Sequence, residues 1–342
     1  MGRLGETRLA RMSRRLMRAL GLTTGATIRI SGKLLFVAPA HPADEAELPQ
    51  VDVFLTGTQG LKRAPLEVGL VVVEGTTVGC DPEFMVLSNS GKLRDASLFF
   101  PHEGRLGSDG VLGELRPTPS TRSFEVVADL RSLIRELRRR KLRLSCSSSL
   151  NSVVAGFHLH FGTPKELLTY APPNSIPFIQ AVARAMDVFI GLPSLVRDPD
   201  DFRRRVGTSY GMPSDFRISD VTFEYRTAGG YNLRSPALAA SLIDVGLLAY
   251  NDIISRASLF THGWTKMSEF NRYEHFQEAY GLPPHAFVVA CMKHADRRPA
   301  AELSEVSRAC LNRLYNAARH KKSIDTLLTR APVIDQVYEN WE

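Results

Sequence analysis

The sequence predicts an α+β fold, an antiparallel sheet with helices packed on its outer face, and three observations carry that prediction. Short segments alternate apolar and polar residues with a period of two, as in Phe157-His158-Leu159-His160-Phe161. Longer segments carry apolar residues at helical spacing, among them 121–141, 177–190 and 235–263. Ionisable residues two apart recur in several of the short segments, and neighbouring antiparallel strands would turn them to one face.

Taken in order, the chain opens with an Arg-rich stretch in which Leu9, Met12, Leu16 and Leu20 are spaced as on a basic amphipathic helix. Glu6 stands where an N-myristoylation pattern wants Ser or Thr. Strands are expected at 27–30 and 33–37 about the turn Ser31-Gly32, and at 51–55 and 69–73. With no chemical motif among them, residues 1–75 are expected to form an accessory region of basic helix plus strands.

Residues 76–295 are expected to form the catalytic domain. In strand 78–87, Asp81 and Glu83 share a face; Pro82 between them, lacking an N–H, argues for a strand start or a sheet edge. After the turn Gly107-Ser108-Asp109-Gly110, Glu114 and Arg116 again share a face. A helix follows to Lys141, with Phe124, Val127, Leu130, Ile134 and Leu137 as its stripe. The basic run at its end complements the helix dipole and reads as a solvated face.

Strands at 142–146 and 153–161 come next, the second presenting His158 and His160 opposite Phe157, Leu159 and Phe161. Beyond a helix at 177–190 lies a basic, glycine-punctuated loop, 202–217, suited to anions but lacking the P-loop pattern. In Thr222-Phe223-Glu224-Tyr225-Arg226 the odd-even alternation puts Thr222, Glu224 and Arg226 on one face. The apolar helix from Ser235 contains Asp244 and is expected to be buried. Residues 296–342, with Leu303, Val306, Cys310 and Leu314 on a stripe, are expected to be a helical tail packing on the catalytic domain.

Bulk composition narrows the partners. With 342 residues and 44% hydrophobic content the chain can bury a sizeable core. A net charge of +7 permits an anionic partner without demanding one. Nucleic acid is not expected, and homo-oligomerisation is left open. The four cysteines form no CxxC pair and read as buried thiols of a reducing compartment. No uncharged apolar run reaches the ~18 residues of a membrane span, so no membrane partner is expected.

Collected on one face, Asp81, Glu83, Glu114, His158, His160, Glu224, Arg116 and Arg226 would crowd carboxylates that repel unless cations intervene. Carboxylates with an occasional imidazole suit Mg2+ or Mn2+, and interleaved arginines suit phosphoryl oxygens. Any one pair reads equally well as a turn or a solvated ion pair. Their recurrence is what points to phosphoryl chemistry on a sheet.

The segments GCDPEF (79–84), SDGxxGELRP (108–117), GFHLHFG (156–162), RRxxxxYGxxxDFR (204–217) and FEYR (223–226) resemble, in this order, the phage-type carboxylate-amine ligases of the COOH·NH2 ligase type 2 group. That group is similar in fold to glutamine synthetase and glutamate–cysteine ligase. The resemblance spans about 78–226. It implies a glutamine synthetase-like catalytic domain binding ATP and Mg2+ (or Mn2+). Asp81, Glu83, Glu114, His158 and Glu224 would hold metal, and His160, Arg204 and Arg205 would face nucleotide. Arg116, Arg217 and Arg226 would act in catalysis on phosphate and an acyl phosphate.

Thr222 stands where glutamine synthetase has an arginine, and Asp109 matches an acidic ligand only loosely, which leaves the amine open. The implied substrates are a carboxylate-bearing small molecule, peptide or protein C-terminus and an amine. Peptide or cell-wall modification in the cytoplasm, that of the host for a phage-encoded chain, is the implied setting. Alternatives are a metal-dependent hydrolase on the same residues and a non-catalytic phage structural or interaction protein.

Overall fold

The computed structural model describes residues 9–12, 27–30, 33–39, 53–55, 69–71, 76–162, 176–198, 201, 208–219, 222–261, 273–294, 300–314, 316–329 and 337–342. Two compact units divide the chain, residues 1–75 with 251–270, and residues 76–250 with 271–342.

In the first unit, β1 (Leu9–Met12), β2 (Thr27–Ile30), β3 (Lys33–Pro39), β4 (Val53–Leu55) and β5 (Gly69–Val71) form a sheet in the order β4-β1-β3-β2-β5. β2 and β3 pair antiparallel, with Ile30 opposite Lys33, as the expected hairpin requires. The basic helix expected over the first residues is corrected at Leu9–Met12, which is extended. That segment pairs parallel with β3 and antiparallel with β4. Over so short a span, apolar residues three apart fit either conformation. Backbone partners on both sides decide for the strand. Leu16 and Leu20 lie outside the described residues.

In the second unit the strands are β6 (Val78–Leu87), β7 (Leu93–Arg94), β8 (Leu106–Asp109), β9 (Leu112–Leu115), β10 (Arg143–Ser145), β11 (Ser149–Leu150), β12 (Val153–Val154), β13 (Phe157–Gly162), β14 (Phe216–Ile218) and β15 (Thr222–Tyr225). An eight-stranded sheet runs β14-β15-β13-β6-β9-β8, with β7 and β10 also pairing to β6. All its pairings are antiparallel, as predicted. β11 and β12 form a separate hairpin. Its two-residue turn, Asn151-Ser152, takes positive φ at both positions (50° and 66°), the twist that matches its strands.

The described helices are α1 (Ser123–Arg139), α2 (Ile176–Met186), α3 (Leu192–Arg197), α4 (Pro236–Thr261), α5 (Tyr273–Tyr280), α6 (His285–Lys293), α7 (Ala300–Leu311), α8 (Lys321–Leu328) and α9 (Val337–Asn340).

Two local expectations are corrected. Pro82 lies within β6, between β13 and β9, and not at an edge. Glu83 N–H donates to Gly156 O (2.9 Å), so the preceding nitrogen points the other way, toward β9, whose pairing with β6 begins only at Glu83 opposite Glu114. No ladder bond is lost there. In α1 the buried stripe is Val126, Leu130, Leu133, Ile134 and Leu137, while Phe124 is 65% exposed. Phe124 stands in the first turn, off the side that faces the sheet.

The apolar face of the sheet makes the core. Phe157, Leu159, Phe161, Phe223 and Tyr225 are buried on it. Tyr250 of α4 stacks on Phe161 (4.6 Å) and on Phe223 (5.7 Å). Burying one such ring contributes roughly 1.5–3 kcal/mol. The stretches 178–195 and 236–254 are long and apolar enough by composition to cross a membrane, yet 78% and 72% of them is buried within the protein, as core helices are. All four cysteines are free and buried.

Asp244, the lone charge early in α4, is tied to α1 and to the residue that precedes α8. Ser123 Oγ donates to its Oδ1 (2.8 Å), and His320 Nδ1 lies 2.8 Å from its Oδ2. Burial raises its pKa, but His320, Ser323 and Ser123 outweigh that and hold it below the usual carboxylate range. A depressed folded pKa stabilises above the unfolded value of about 3.9, and the gain is lost as pH falls through the folded one. Asp244→Asn is therefore expected to lower stability at neutral pH by about 1–2 kcal/mol, with the difference from wild type closing toward acid. Thermal midpoints measured across pH check this.

Candidate active site

Register brings the like-facing residues together. β13 pairs with β6 so that His158 lies opposite Asp81, and with β15 so that His160 lies opposite Glu224. β14 sets Arg217 opposite Glu224, and β9 sets Glu114 opposite Glu83. Because side chains alternate along each strand, Asp81, Glu83, Glu114, His158, His160, Arg217 and Glu224 all stand on one face. The aromatic core fills the other.

Distances within this face are short. His160 Nε2 is 3.0 Å from Asp81 Oδ2. His158 Nδ1 is 3.4 Å from Asp81 Oδ1 and 3.5 Å from Glu224 Oε1. Asp81, His160 and Glu224 offer ligand atoms all within 4.8 Å of one another. His160, expected to face nucleotide, thus sits in the convergent set, and His158 borders it through Nδ1.

Electrostatics reflects the crowding. For Asp81, burial raises the pKa, but His158 and His160 outweigh it and hold the carboxyl well below its usual range. Burial raises the Glu83 pKa, and His158, the Gly156 N–H and Tyr210 offset it only in part. Glu114 is pushed up to about 8, by burial first and then by Asp81. Like charges opposite one another in a ladder destabilise it unless a counter-charge is present.

The arginines differ in exposure and in what they touch. Arg226 Nε lies 3.2 Å from Glu224 Oε1, with its side chain largely enclosed. Arg217 NH1 lies 3.7 Å from Glu224 Oε2, with its side chain 65% exposed. Arg116, expected to be catalytic, is engaged in a brace. It pairs with Glu114 and donates to Gly104 O (2.9 Å) and His102 O (3.2 Å), joining the carboxylate to the 102–104 loop. Three of its five N–H donors are engaged in this way, which ties Glu114 to that loop. Arg204 and Arg205 lie outside the described residues.

Tyr210 is the residue that alternation did not reveal. Its hydroxyl donates to Glu83 Oε1 (2.8 Å) and lies 2.8 Å from His158 Nε2. Its ring sits 5.3 Å from the Arg226 guanidinium carbon, in cation–π range. Tyr210 precedes β14 in a turn, where no side-chain period exists to be read. Its place in the RRxxxxYGxxxDFR segment was the available signal.

Asp187 anchors that turn from the opposite side. It opens a π-helical turn, Asp187–Gly191, between α2 and α3 and is fully buried. Its Oδ1 accepts from Tyr225 OH (2.7 Å) and Ser214 N–H (2.9 Å), and its Oδ2 from Ser214 Oγ (2.7 Å). Glu224's strand and Tyr210's turn are thereby held by one carboxylate.

The residues present fit a divalent cation. Asp81 Oδ1 is buried with no hydrogen-bond partner among the described residues, and His160 Nε2 meets only the paired Asp81 Oδ2. Unsatisfied buried polar atoms are costly, and hard cations take such oxygen and imidazole donors. Asp81, His160 and Glu224 would hold the ion, with His158, Glu83 and Glu114 adjoining. An anionic ligand could meet the cation on one side and Arg217 and Arg226 on the other.

A family model described as phage phiEco32-like COOH.NH2 ligase-type 2 matches residues 78–325. Among solved structures, the chain is similar to a bifunctional glutathione synthetase from Pasteurella multocida, at 12% identity and a TM-score of 0.36, over 75% of this chain and 51% of that one. It is also similar to a novel glutamine synthase homolog, at 13% identity and a TM-score of 0.36, over 86% of this chain and 78% of that one. The chain spans about half the length of the first. No curated protein matches the chain.

Proposed function

Because the chain belongs to the phage phiEco32-like COOH.NH2 ligase-type 2 family, and is a carboxylate–amine ligase, we propose that it forms an amide or peptide bond with ATP and Mg2+ (or Mn2+). The observation that carries this reading is the convergence of Asp81, His160 and Glu224 on one sheet face, inside the segment that the family spans.

A carboxylate is a poor electrophile at its own carbon, so the reaction needs a leaving group. A substrate carboxylate oxygen attacks the γ-phosphorus of ATP, the bond to the β,γ-bridging oxygen breaks, and ADP leaves. The amine then attacks the carbonyl carbon of the acyl phosphate, the C–O bond to phosphate breaks, and the amine loses a proton. A bound cation supplies charge neutralisation at the phosphate oxygens. Asp81, His160 and Glu224 would hold it, with Glu83, Glu114 and His158 alongside.

Arg226 and Arg217 flank Glu224 and are disposed to meet phosphoryl oxygens or the substrate carboxylate. Arg204 and Arg205 are proposed, from the sequence alone, to face the nucleotide. The substrates are a carboxylate-bearing small molecule, peptide or protein C-terminus and an amine. A cytoplasmic setting supplies the ATP, and a phage origin accords with the family's description.

The test incubates the protein with Mg-ATP, hydroxylamine as the amine, and a panel of amino acids and short peptides as the acids. ADP release that requires both Mg2+ and one of the acids, with formation of that acid's hydroxamate, is expected. Hydroxamate formed without ATP, or ADP release indifferent to the acid, overturns the reading. ATP-independent turnover with Mn2+ would point to a hydrolase instead.

A further inference from the structure

We propose that Asp187 is the positioning residue of the arginine side of the site: through Tyr225 and Ser214 it fixes where Arg226 points, and with it the affinity for ATP. This rests on the proposed function above and deepens it. The cation side has its own support, because ladder pairing sets His158 opposite Asp81 and His160 opposite Glu224. Arg226 lacks that support. β15 ends at Tyr225, and Arg226 is the next residue.

What directs Arg226 comes largely from the turn at 210–215. Its N–H donates to Asp215 O (2.9 Å), and Thr227 Oγ1 beside it donates to Met212 O (3.0 Å). Its Nε meets Glu224 Oε1 (3.2 Å), a single contact about which the guanidinium plane can still turn. The Tyr210 ring, 5.3 Å from the guanidinium carbon, sets that plane.

That turn is pinned on Asp187. Ser214 takes a left-handed backbone (φ 59°), uncommon for serine, and both its N–H and its hydroxyl reach the buried carboxylate (2.9 and 2.7 Å). Tyr225 OH donates to the same group (2.7 Å) from the apolar face of β15, opposite Glu224. His285 Nε2 completes the cluster, 3.1 Å from Ser214 Oγ and 3.4 Å from Asp187 Oδ2. Asp187 thus grips the residue before Arg226 and the residue before Asp215.

The helix is shaped for this grip. Asp187 opens the π-helical turn that ends at Gly191, and such turns recur at functional sites. A Cβ at Gly191 would fall 2.6 Å from Tyr225 OH, so glycine there leaves the phenol room to reach Asp187. A small displacement behind a site is enough to misplace the group that meets substrate.

Two affinities of the full chain test the proposal: Mn2+ alone, read by EPR, and a β,γ-imido analogue of ATP in saturating Mg2+, read by calorimetry. Tyr225→Phe and Ser214→Gly each take one hydroxyl from Asp187, and the glycine suits the left-handed backbone. Each is expected to bind the analogue about 10-fold more weakly and Mn2+ within about 2-fold of wild type. Asp187→Ala is expected to show the larger loss, and adding Tyr225→Phe to it to change nothing further.

A purely structural role would lower the thermal midpoint and leave both affinities of the folded protein as they were. Wild-type analogue affinity in the folded hydroxyl variants therefore overturns the proposal, and so does an equal loss of Mn2+ and analogue. If Asp187→Ala fails to fold, Gly191→Ala takes its place by crowding the Tyr225 hydroxyl. The same split is expected, and wild-type analogue affinity overturns the proposal. A wild-type protein that binds no analogue would instead remove the ATP reading itself, so the two failures are distinguishable.

Discussion

Asp81→Asn is expected to remove divalent-cation binding and, with it, acid-dependent ADP release. Asp81 lies against both imidazoles, 3.4 Å from His158 Nδ1 and 3.0 Å from His160 Nε2. Those neighbours keep it ionised throughout the working pH range. Asparagine keeps the shape and removes the charge. Disturbing groups behind a metal ligand already costs about 10–100-fold in affinity, so losing the ligand's charge is expected to exceed roughly 100-fold.

The fold is expected to survive. Asp81 contributes to the rise in the Glu114 pKa, and removing one of several crowded carboxylates relieves repulsion as well as losing attraction. Mn2+ titration by EPR and ADP release, with circular dichroism to confirm folding, check this. A folded Asp81→Asn protein that binds Mn2+ as wild type does would remove Asp81 from the cation site.

Gly156→Ala is expected to abolish activity through one methyl group. A Cβ at this position would overlap the His158 ring at Nε2, the atom facing Tyr210. The backbone cannot easily retreat. Gly156 donates its N–H to Glu83 Oε2 (2.5 Å), accepts from Glu83 N–H (2.9 Å) and bridges to Gly229. Overpacking of this kind costs about 1–3 kcal/mol. In a domain of this size that corresponds to a fall of about 2–12 °C in thermal midpoint.

The larger effect is geometric. The imidazole must leave either Tyr210 or its place opposite Asp81, so Mn2+ affinity is expected to fall along with ADP release. Both are measured beside the thermal midpoint. A midpoint and Mn2+ affinity equal to wild type would show that the strand shifts at no cost, and would end the argument for close packing here.

How far the site could be read in advance varied with the kind of information each residue needed. Asp81 with Glu83, and His158 with His160, could be placed on common faces because side chains alternate along any strand. The core partners Leu159, Phe161 and Phe223 followed from the same period. Tyr210 could not be placed, since it sits in a turn whose path depends on Ser214 meeting Asp187, and a turn has no period. The 216–218 strand overlaps the end of the expected 202–217 loop because its pairing partner, not its composition, makes it extended. Leu9 to Met12 misled for the same reason, with apolar spacing that suits a helix and backbone partners that suit a strand. Arg116 shared a face with Glu114 as expected, but the carbonyls that accept from its NH1 come from a loop no pattern located.

Local order along the chain was enough to settle which side chains of one strand travel together, which of the longer segments are helical and which strand faces are apolar. Those properties depend on covalent geometry and residue chemistry over a few neighbours. The order of the strands across the sheet, the pairing of His160 with Glu224, the central position of Pro82 and the delivery of Tyr210 to His158 were decided by folding. Each depends on hydrogen bonds and packing between residues tens to more than a hundred positions apart, and free energy at that separation is a property of the assembled layers rather than of any segment.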